Sequence, residues 1–499
     1  MNVLLIYPEY PATFWSFKYA LKFIHKRAAL PPLGLLTIGA MLPDEWPKKL
    51  VDVNVTKLKD KDLGWADVAF ISGMALQRES ARDIITRCKE SNLRVVAGGP
   101  LFSGEHEQFE VVDHLVLNEA ELTLPPFLED LEKGCARRVY ETSEFCDIGT
   151  TPPPLWDLIN LKHYATMGIQ FSRGCPFNCE FCNVTALFGH RPRMKTVEQV
   201  IVELDGLYNL GWRSPVFFVD DNFIGNKIYL KSSLLPALIK WQRGKKGIPF
   251  NTEASINLAD DPELMDMMVK AGFDTVFIGI ETPNEESLTE CNKLQNKNRD
   301  LVGSVKLMQR AGLQVTGGFI VGFDSDTPSI FQRQIEFIQK SGIVTAMVGL
   351  LNAPPGTRLY ERMKKEGRLV DAMSGDNVDG TTNIIPEMGL ETLRKGYFKL
   401  IKNIYSPRNY YKRASIFLRE YENPQIRPPL SVQHLLAIVR SSIRLGVFGR
   451  ERFQYWKIMF WTLFRRPEML PLTVTIAIYG YHFRKICKLK ITKCVAQGR

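Results

Sequence analysis

Short apolar runs alternate with amphipathic stretches over about the first 145 residues of the chain. The runs have the length of buried strands and are rich in Val, Ile and Leu, whereas residues 79–91 place apolar side chains at helical spacing. Because strands that alternate with helices form parallel sheets, the pattern predicts an open, doubly wound sheet. The predicted strands are VLLIYP (3–8), VDVNVTKL (51–58), VAFISGM (68–74), LRVVAGGP (93–100) and VDHLVLN (112–118).

A proline-rich stretch, TPPPLWDLI (151–159), interrupts this pattern and is typical of a linker. A second alternation follows it, with helical spacing at 197–210, 262–271 and 299–311. Its six apolar runs predict a partial TIM-type barrel, whose active site lies at the carboxyl ends of the strands. They are MGIQFSRG (167–174), VFFVDDNF (216–223), FNTEAS (250–255), TVFIGIET (275–282), QVTGGFIVGF (314–323) and AMVGLLNAPPG (346–356).

The chain is thus predicted to be an α/β protein with a mainly helical end. Its 499 residues exceed what one hydrophobic core usually supports, which also indicates several domains. We expect a Rossmann-like domain at 1–148, a linker at 149–164 and a partial (β/α)6 barrel at 165–388 that ends near MSGDNVDGTTN (373–383). A mainly helical extension follows at 389–499.

Composition narrows the class of protein. Hydrophobic residues make up 45% and charged residues 24%, as in ordinary globular domains, and no apolar run reaches the length of a membrane span. No secretory signal pattern opens the sequence, so we expect a cytoplasmic protein.

The formal net charge is +10, and basic and aromatic residues are mixed over the last hundred positions. These residues form either a surface for anionic lipid, phosphate or nucleic acid, or a packed helical domain with a solvated basic face.

Only three of the nine cysteines cluster, in Cys175-Pro-Phe-Asn-Cys179-Glu-Phe-Cys182 directly after a predicted strand. Three thiolates on one such loop can hold three corners of a cubane iron–sulfur cluster and leave the fourth iron open. An open metal position can bind and activate a substrate. Structural zinc is the alternative, but it requires four ligands, and His190 has no second partner nearby. A ferredoxin would supply a fourth cysteine.

This CxxxCxxC motif, with Phe181 before its last cysteine, resembles that of the radical S-adenosylmethionine (SAM) enzymes. The resemblance implies a [4Fe–4S] cluster on Cys175, Cys179 and Cys182, with SAM chelating the open iron. In that family an electron from the cluster cleaves SAM to a 5′-deoxyadenosyl radical, which abstracts a hydrogen atom. The protein positions the cofactors and excludes water.

Polar and glycine residues at the predicted strand ends are the SAM-binding candidates that the resemblance implies. The family contacts the methionine part of SAM after the second strand, its amino group or ribose after the third and fourth, and its adenine beside a glycine-containing strand. The candidates are Asp220, Asp221, Asn222, Glu253, Ser255, Glu281, Gly317, Gly318 and Gly322. Arg191 and Arg193 have the chemistry to hold a carboxylate. For any one carboxylate, a helix cap or a surface pair is the alternative.

A doubly wound domain before the barrel resembles the cobalamin-binding class of this family, in which the rim loops embrace the corrin. The implied residues are Tyr7, Pro8, Leu33, Gly34, Ser72, Gly73, Met74, Gly98, Gly99, Pro100, Asn118, Glu119 and Glu121. The chain has no Asp-x-His-x-x-Gly sequence, and His106 and His114 lack that setting, so we expect no histidine on cobalt. A Rossmann-like domain that binds nothing is the alternative.

The C-terminal segments REYENPQIRPP and ERFQYWKIMFWTLFRRPEMLPL resemble the extension of hopanoid C-2 and bacteriochlorophyllide methylases. The resemblance implies methylation of an unactivated carbon in a hydrophobic polycyclic molecule through methylcobalamin, with an electron donor such as ferredoxin or flavodoxin. Two alternatives stay open: radical chemistry without methyl transfer, and modification of RNA or protein. No dedicated nucleic-acid module is evident, so no nucleic acid is expected. The basic aromatic segment is either a peripheral contact with the inner membrane surface or a lid over the barrel.

Overall fold

Two six-stranded parallel sheets organise the chain, as the alternating pattern predicts. The computed structural model describes residues 1–245, 247–370, 373–422, 426 and 432–496, the last four by their backbone only. The first sheet has the order β2-β1-β3-β4-β5-β6. Its strands are β1 (Val3–Tyr7), β2 (Lys48–Asp52), β3 (Val68–Ser72), β4 (Arg94–Gly98), β5 (His114–Val116) and β6 (Val139–Tyr140).

Helices cover both faces of the first sheet, because alternate side chains of each strand enter different cores. Along β1, Leu4 and Ile6 join one hydrophobic cluster, whereas Val3 and Leu5 join the other. This division is the signature of a doubly wound sheet. The helices of this region are α1 (Leu33–Met41), α2 (Asp60–Leu63), α3 (Arg78–Glu90), α4 (Pro100–Glu105) and α5 (Ala120–Glu132).

One strand prediction in this region was wrong, and one strand was not predicted. The predicted strand at 51–58 instead spans Lys48–Asp52, in register with β1. The chain turns after Asp52, because its carboxylate accepts hydrogen bonds from the backbone and side-chain amides of Asn54. The two-residue strand Val139–Tyr140 was missed, because a run this short gives no periodic signal.

The second sheet has the order β14-β13-β12-β11-β10-β7 and forms the predicted partial barrel. A small antiparallel pair, β8 with β9, lies between its first two strands in sequence. The strands are β7 (Met167–Ile169), β8 (Ser172–Arg173), β9 (Arg193–Met194), β10 (Val216–Phe218), β11 (Phe250–Ala254), β12 (Phe273–Glu281), β13 (Gln314–Val321) and β14 (Ala346–Leu350).

Alternate residues of the barrel strands face an open interior. On β12, Val276 and Ile278 are fully buried in the main hydrophobic core, whereas Phe277 between them is partly exposed. The same alternation sets Glu253 apart from its buried neighbours on β11. The helices here are α6 (Val184–Phe188), α7 (Val197–Asn209), α8 (Lys227–Tyr229), α9 (Leu235–Arg243), α10 (Pro262–Ala271), α11 (Glu285–Glu290), α12 (Leu301–Arg310), α13 (Ile330–Ser341) and α14 (Arg358–Lys365).

The C-terminal part is helical, as expected. It packs on the barrel and on the N-terminal segment, where the ring of Phe14 stacks on that of Phe483 at 4.1 Å. Among the described residues, no helix has both the length and the hydropathy needed to cross a membrane. The helices are α15 (Leu390–Ile404), α16 (Pro407–Glu420), α17 (Val432–Ser441), α18 (Arg452–Arg465) and α19 (Leu470–Ala496).

A buried group of charges joins the two sheets. The Glu119 carboxylate, at the start of α5, accepts hydrogen bonds from Arg193 at 2.7 and 2.8 Å and from Arg173 at 3.3 Å. Glu121 pairs with Arg173 at 2.7 Å. Burial alone would raise the pKa of Glu121, but Arg173 lowers it to about 2. Arg173 and Arg193 face each other on β8 and β9, so the first sheet is tied to this strand pair.

We predict that Glu119→Ala lowers the free energy of unfolding by about 3–5 kcal/mol, because it leaves two buried guanidinium groups without their shared partner. Chemical denaturation followed by circular dichroism measures the effect. Glu129→Ala, which removes an exposed partner of Lys133, is the control and should change stability by less than about 1 kcal/mol. Equal losses in the two variants would contradict a structural role for the buried group.

Candidate active site

The cysteine loop leaves the second sheet at the carboxyl end of β7 and passes through Gly174. This glycine has φ of +95°, and a Cβ there would lie 3.0 Å from the carbonyl oxygens of Phe188, Gly189 and Arg191. A side chain would therefore be strained in conformation and crowded by backbone. Glycine allows the chain to enter the loop inside this ring of carbonyl groups.

Two of the three thiols of the loop accept hydrogen bonds from side-chain amide groups. Asn222 Nδ2 lies 3.9 Å from the Sγ of Cys175, and Gln295 Nε2 lies 3.8 Å from the Sγ of Cys179. Burial raises the pKa of Cys182 to about 12 and also raises that of Cys175. Over the described residues, no three or more His, Cys, Asp or Glu side chains converge on a single metal ion.

The outer side of the loop is fixed by α14 and by the turn after α11. Glu180 forms an ion pair with Arg362 at 2.8 Å, and its backbone amide donates to the carbonyl of Cys291 at 2.9 Å. Arg358 donates to the Asn178 carbonyl at 2.6 Å. The loop is thus positioned from both sides, although nothing in the sequence pattern links α14 to the cysteines.

A buried ion pair lies beside the thiols. Lys293 Nζ is 2.8 Å from Glu281 Oε1 at the end of β12, where Glu281 itself has φ of +61°. Burial alone would lower the pKa of Lys293, but Glu281 and the nearby thiols of Cys179 and Cys182 hold it above its usual range. Glu281 was a predicted site residue, whereas Lys293 and Gln295 were missed because they follow a helix and not a strand.

The three polar residues after β10 reach toward the cysteine loop in different ways. Asp220 is fully buried and accepts hydrogen bonds from the Phe171 amide at 3.1 Å and the Ser172 hydroxyl at 2.5 Å. The amide of Gly174 donates to Asp221 at 3.4 Å. Burial raises the pKa of Asp220 to about 7 and that of Asp221 to about 6. Asp220 therefore fixes the backbone that leads from β7 into the loop. Asp221 makes one long hydrogen bond and has oxygen atoms available to a ligand.

Asn222 connects the cysteines to the next strand. While its amide nitrogen lies near Cys175, its Oδ1 accepts from the backbone amide of Ser255 at 3.2 Å and from the Ser255 hydroxyl at 3.3 Å. Glu253, two residues earlier on β11, receives no hydrogen bond from any described residue. Burial, with the charges of Asp221 and Asp220, raises the pKa of Glu253 to about 8.

Gly317, Gly318 and Gly322 were predicted to lie beside the adenine of SAM. In the structure the first two make room for neighbouring side chains. A Cβ at Gly318 would lie 2.8 Å from the ring of Phe277, and one at Gly317 would lie 2.9 Å from the ring of Phe319. Gly322 has φ of +105°, and its amide donates to Asp326 at 2.9 Å. These close approaches explain Gly317 and Gly318 by packing within the protein.

The glycines at the rim of the first sheet allow close packing of backbone. A Cβ at Gly98 would lie 2.4 Å from the Val116 carbonyl, and one at Gly99 would lie 2.3 Å from the Ser72 hydroxyl. Gly34, in contrast, has open space around it. The predicted rim residues that complete this edge are Tyr7, Pro8, Leu33, Gly73, Met74, Pro100 and Asn118.

The two sheets meet at this rim. The side chain of Leu33 at the start of α1 comes within 3.8 Å of the position of a Cβ on Gly168 of β7. Met74 at the rim is exposed, whereas Pro8 is held by a 2.5 Å hydrogen bond from Gln77. Leu33, one of the predicted rim residues, therefore lies next to the first barrel strand.

Some predicted residues lie elsewhere or already have protein partners. The carboxylates of Glu119 and Glu121 are paired with arginines, so Arg193 does hold a carboxylate, but one from the protein. Arg191 lines a surface cleft of about 380 Å³ beside the cysteine loop, together with Lys227. His114 begins β5 at the opposite edge of the sheet from the rim.

Comparisons with known proteins follow the same division of the chain. The Radical SAM superfamily model matches residues 169–338, and a domain of unknown function, DUF4070, matches residues 357–494. The uncharacterized methyltransferase sll1242 of Synechocystis sp. is 41% identical, with 97% of this chain and 91% of the relative covered. The hopanoid C-2 methylase of Rhodopseudomonas palustris is 33% identical, with 95% and 92% covered.

A solved structure shows the same fold. It is the radical S-adenosylmethionine methyltransferase TsrM from Kitasatospora setae with cobalamin and [4Fe-4S] cluster bound. The two chains are 14% identical and superpose with a TM-score of 0.61. The match covers 95% of this chain and 99% of that chain.

We predict that Glu253→Gln removes part of the pH dependence of stability. Because folding raises the pKa of Glu253 from about 4.5 to about 8, the folded state binds the proton more tightly, and stability falls as pH rises across this window. The variant should lose up to about 1.4 kcal/mol per pH unit of that slope. Thermal melting between pH 5 and pH 9 measures it, with the exposed Glu263→Gln as control. An unchanged slope would show that Glu253 is ionised in the folded protein.

Proposed function

The chain belongs to the radical SAM methylases related to the hopanoid C-2 methylase, as its cysteine motif and C-terminal segments together indicated. From this membership we propose that it methylates an unactivated carbon of a hydrophobic polycyclic molecule. One observation carries the proposal. Three thiols on one loop lie at the carboxyl edge of an open barrel, and the first parallel sheet is joined to the two short strands that flank this loop by the ion pairs of Glu119 and Glu121. Two parallel-sheet rims that face each other can bind two cofactors around one substrate.

We propose Cys175, Cys179 and Cys182 as the ligands of a [4Fe–4S] cluster. The donor set fits, because three thiols with N–H donors aimed at two of their sulfur atoms suit an anionic iron–sulfur centre with an open iron. When bound, the cluster and SAM supply the 5′-deoxyadenosyl radical that abstracts hydrogen. Lys293 holds a positive charge beside the sulfur atoms, and Asn222 and Gln295 orient two of the thiols.

We assign the residues at the strand ends to SAM in two roles. Glu253 and Asp221 keep side-chain oxygen atoms available to an ammonium or ribose group. Asp220, Asn222 and Ser255 position the loop and the strand ends through the hydrogen bonds described above. The remaining proposed SAM residues, at the ends of β12 and β13, are Glu281, Gly317, Gly318 and Gly322.

Cobalamin is the cofactor that we propose at the rim of the first sheet. The open space at Gly34 and the exposed side chain of Met74 fit a large planar ligand, and cobalt would have no protein histidine there. When bound, cobalamin would carry the methyl group that is transferred. Ser72, Gly99 and Asn118 shape the rim, and the other residues proposed for this site remain as named in the sequence analysis.

An apolar wall in the barrel interior supports a hydrophobic substrate. Phe277 of β12 and Met347 of β14 are partly exposed on the interior face. Trp15 lies across both, with its ring 5.6 Å from that of Phe277 and its Nε1 3.0 Å from Met347 Sδ. Such a wall suits a hopanoid-type lipid or a chlorophyll-type pigment better than a charged polymer.

A reductant and a location complete the proposal. An electron donor such as ferredoxin or flavodoxin would reach the cluster, and the cationic cleft at Arg191 and Lys227 lies beside the cysteine loop. We propose that the enzyme is cytoplasmic and contacts the inner membrane surface peripherally.

We predict that the reconstituted enzyme, given a hopanoid or a chlorophyll-type pigment, transfers labelled methyl from SAM to the substrate. Mass spectrometry should detect a product heavier by one methyl group, together with 5′-deoxyadenosine and S-adenosylhomocysteine. Cys179→Ser should abolish all three, and Cys135→Ser, an exposed cysteine outside the site, should leave them unchanged. Deoxyadenosine without a methylated product would instead indicate radical chemistry of another kind.

We also predict that Gly174→Ala reduces the iron and sulfide content after reconstitution at least fivefold, because a Cβ there meets three carbonyl oxygens. Gly211→Ala is the matched control. Gly211 also has positive φ, at +87°, but nothing lies within 4 Å of its Cβ position. Both variants incur the conformational strain of about 1 kcal/mol, so equal iron contents would show that the carbonyl ring has no role.

A further inference from the structure

Exposed hydrophobic side chains are concentrated in one short part of the surface. Eleven of the twenty-four exposed large hydrophobic residues among the described residues lie between 432 and 464. Soluble domains scatter such residues singly, and a dense group marks an interaction surface. This group lies in α17, in the π-helical turn Ser442–Val447 that continues it, in the connection 448–451, and in α18. We call these segments the C-terminal hairpin.

The first stripe of the C-terminal hairpin follows one face of α17 and its π-helical continuation. The residues are separated by three or four positions, with one adjacent pair, which is the period of a helix face. They are Val432, Leu435, Leu436, Val439, Ile443 and Val447. The opposite face, with Ala437 and Leu445, is buried against the protein. The exposed face is therefore a continuous apolar stripe, separate from the apolar face that packs against the protein.

The turn and second helix of the hairpin carry large aromatic residues. Phe448 and Phe453, on either side of the turn, are 81% and 73% exposed, and Phe464 near the end of α18 is 78% exposed. The hairpin is nevertheless ordered, because Trp456 donates to the Gly446 carbonyl at 3.0 Å and stacks on Phe460 at 5.5 Å. Exposed phenylalanines on a fixed scaffold are suited to insertion into an apolar medium.

Basic side chains surround these phenylalanines. Arg450, Arg452, Lys457 and Arg465 are exposed, and the segment 432–467 contains one acidic residue, Glu451. Glu451 is buried and paired with Arg484, so it presents no negative charge to a partner. The next acidic residue, Glu468, is exposed but is paired with Arg466 at 3.2 Å. Aromatic residues bordered by Lys and Arg, with no unpaired acid among them, are complementary to an anionic lipid surface.

We propose that the C-terminal hairpin docks the protein on an anionic lipid bilayer, with Phe448 and Phe453 inserted below the headgroups. This inference rests on the proposed function in one respect, because an apolar substrate has to be collected from a membrane. The hairpin is joined to the N-terminal segment, since Arg440 donates to the carbonyl of Phe23 at 2.7 Å. The same N-terminal segment carries Trp15 into the barrel interior.

Vesicle flotation tests the proposal with the full-length protein. The wild type should float with vesicles of phosphatidylglycerol and phosphatidylcholine, and much less with phosphatidylcholine alone. The double variant Phe448→Ser with Phe453→Ser should partition at least tenfold more weakly, because two large apolar side chains no longer enter the bilayer. Arg450→Glu with Arg452→Glu should lose the preference for anionic vesicles. Val111→Ser, an exposed apolar residue of the first region, is the matched control and should float like the wild type.

Two results would overturn the proposal. One is equal flotation of the wild type and the Phe448 and Phe453 variant. The other is a wild-type dimer in solution that becomes monomeric in that variant, which would make the face an interface between two copies of the chain. Far-ultraviolet circular dichroism and melting temperatures establish that each variant is folded. Methyl transfer to substrate in detergent is assayed separately, so failure of membrane binding and failure of the proposed reaction are distinguishable.

Discussion

The ion pairs of Glu119 and Glu121 with Arg173 and Arg193 are the interaction on which the rest of the site depends. The two arginines stand opposite each other on β8 and β9, and the cysteine loop is the segment between those strands. The two glutamates begin α5 of the first sheet. One buried group of charges therefore joins the sheets and closes the base of the loop. Because buried charges cannot exchange partners for water at low cost, this group fixes where the two rims meet.

The polar residues of the barrel rim divide into those that hold the protein and those that are available to a ligand. Asp220 uses its oxygens on the Phe171 and Ser172 amides, whereas Glu253 accepts no hydrogen bond from the described part of the chain. Burial raises the pKa of both carboxyl groups. The oxygen atoms of Asp220 are used in hydrogen bonds within the protein, so this residue has a structural role. The oxygen atoms of Glu253 are left for a bound cation or hydroxyl group.

The N-terminal segment connects parts of the molecule that are far apart in sequence. Phe14 stacks on Phe483 of α19, Trp15 reaches the barrel interior, and Phe23 accepts a hydrogen bond from Arg440 of α17. The apolar wall and the C-terminal hairpin therefore both contact the same N-terminal segment. In the proposed function, a substrate collected at the hairpin and methylated in the barrel would meet this strip at both places.

The sequence by itself determined the two parallel sheets, the helical end, the cysteine motif and the family, because these depend on local periodicity and on spacing within one loop. It also placed most candidate residues at strand ends, since that edge follows from strand direction. Only the tertiary structure decided which of these residues are used in contacts within the protein and which are left for a ligand. Glu119 looked like a ligand contact but faces Arg193, and Lys293 gave no signal although it lies beside the thiols. Long-range pairing of charges leaves no periodic trace in a sequence, so the partners of a buried carboxylate appear only when distant segments are brought together.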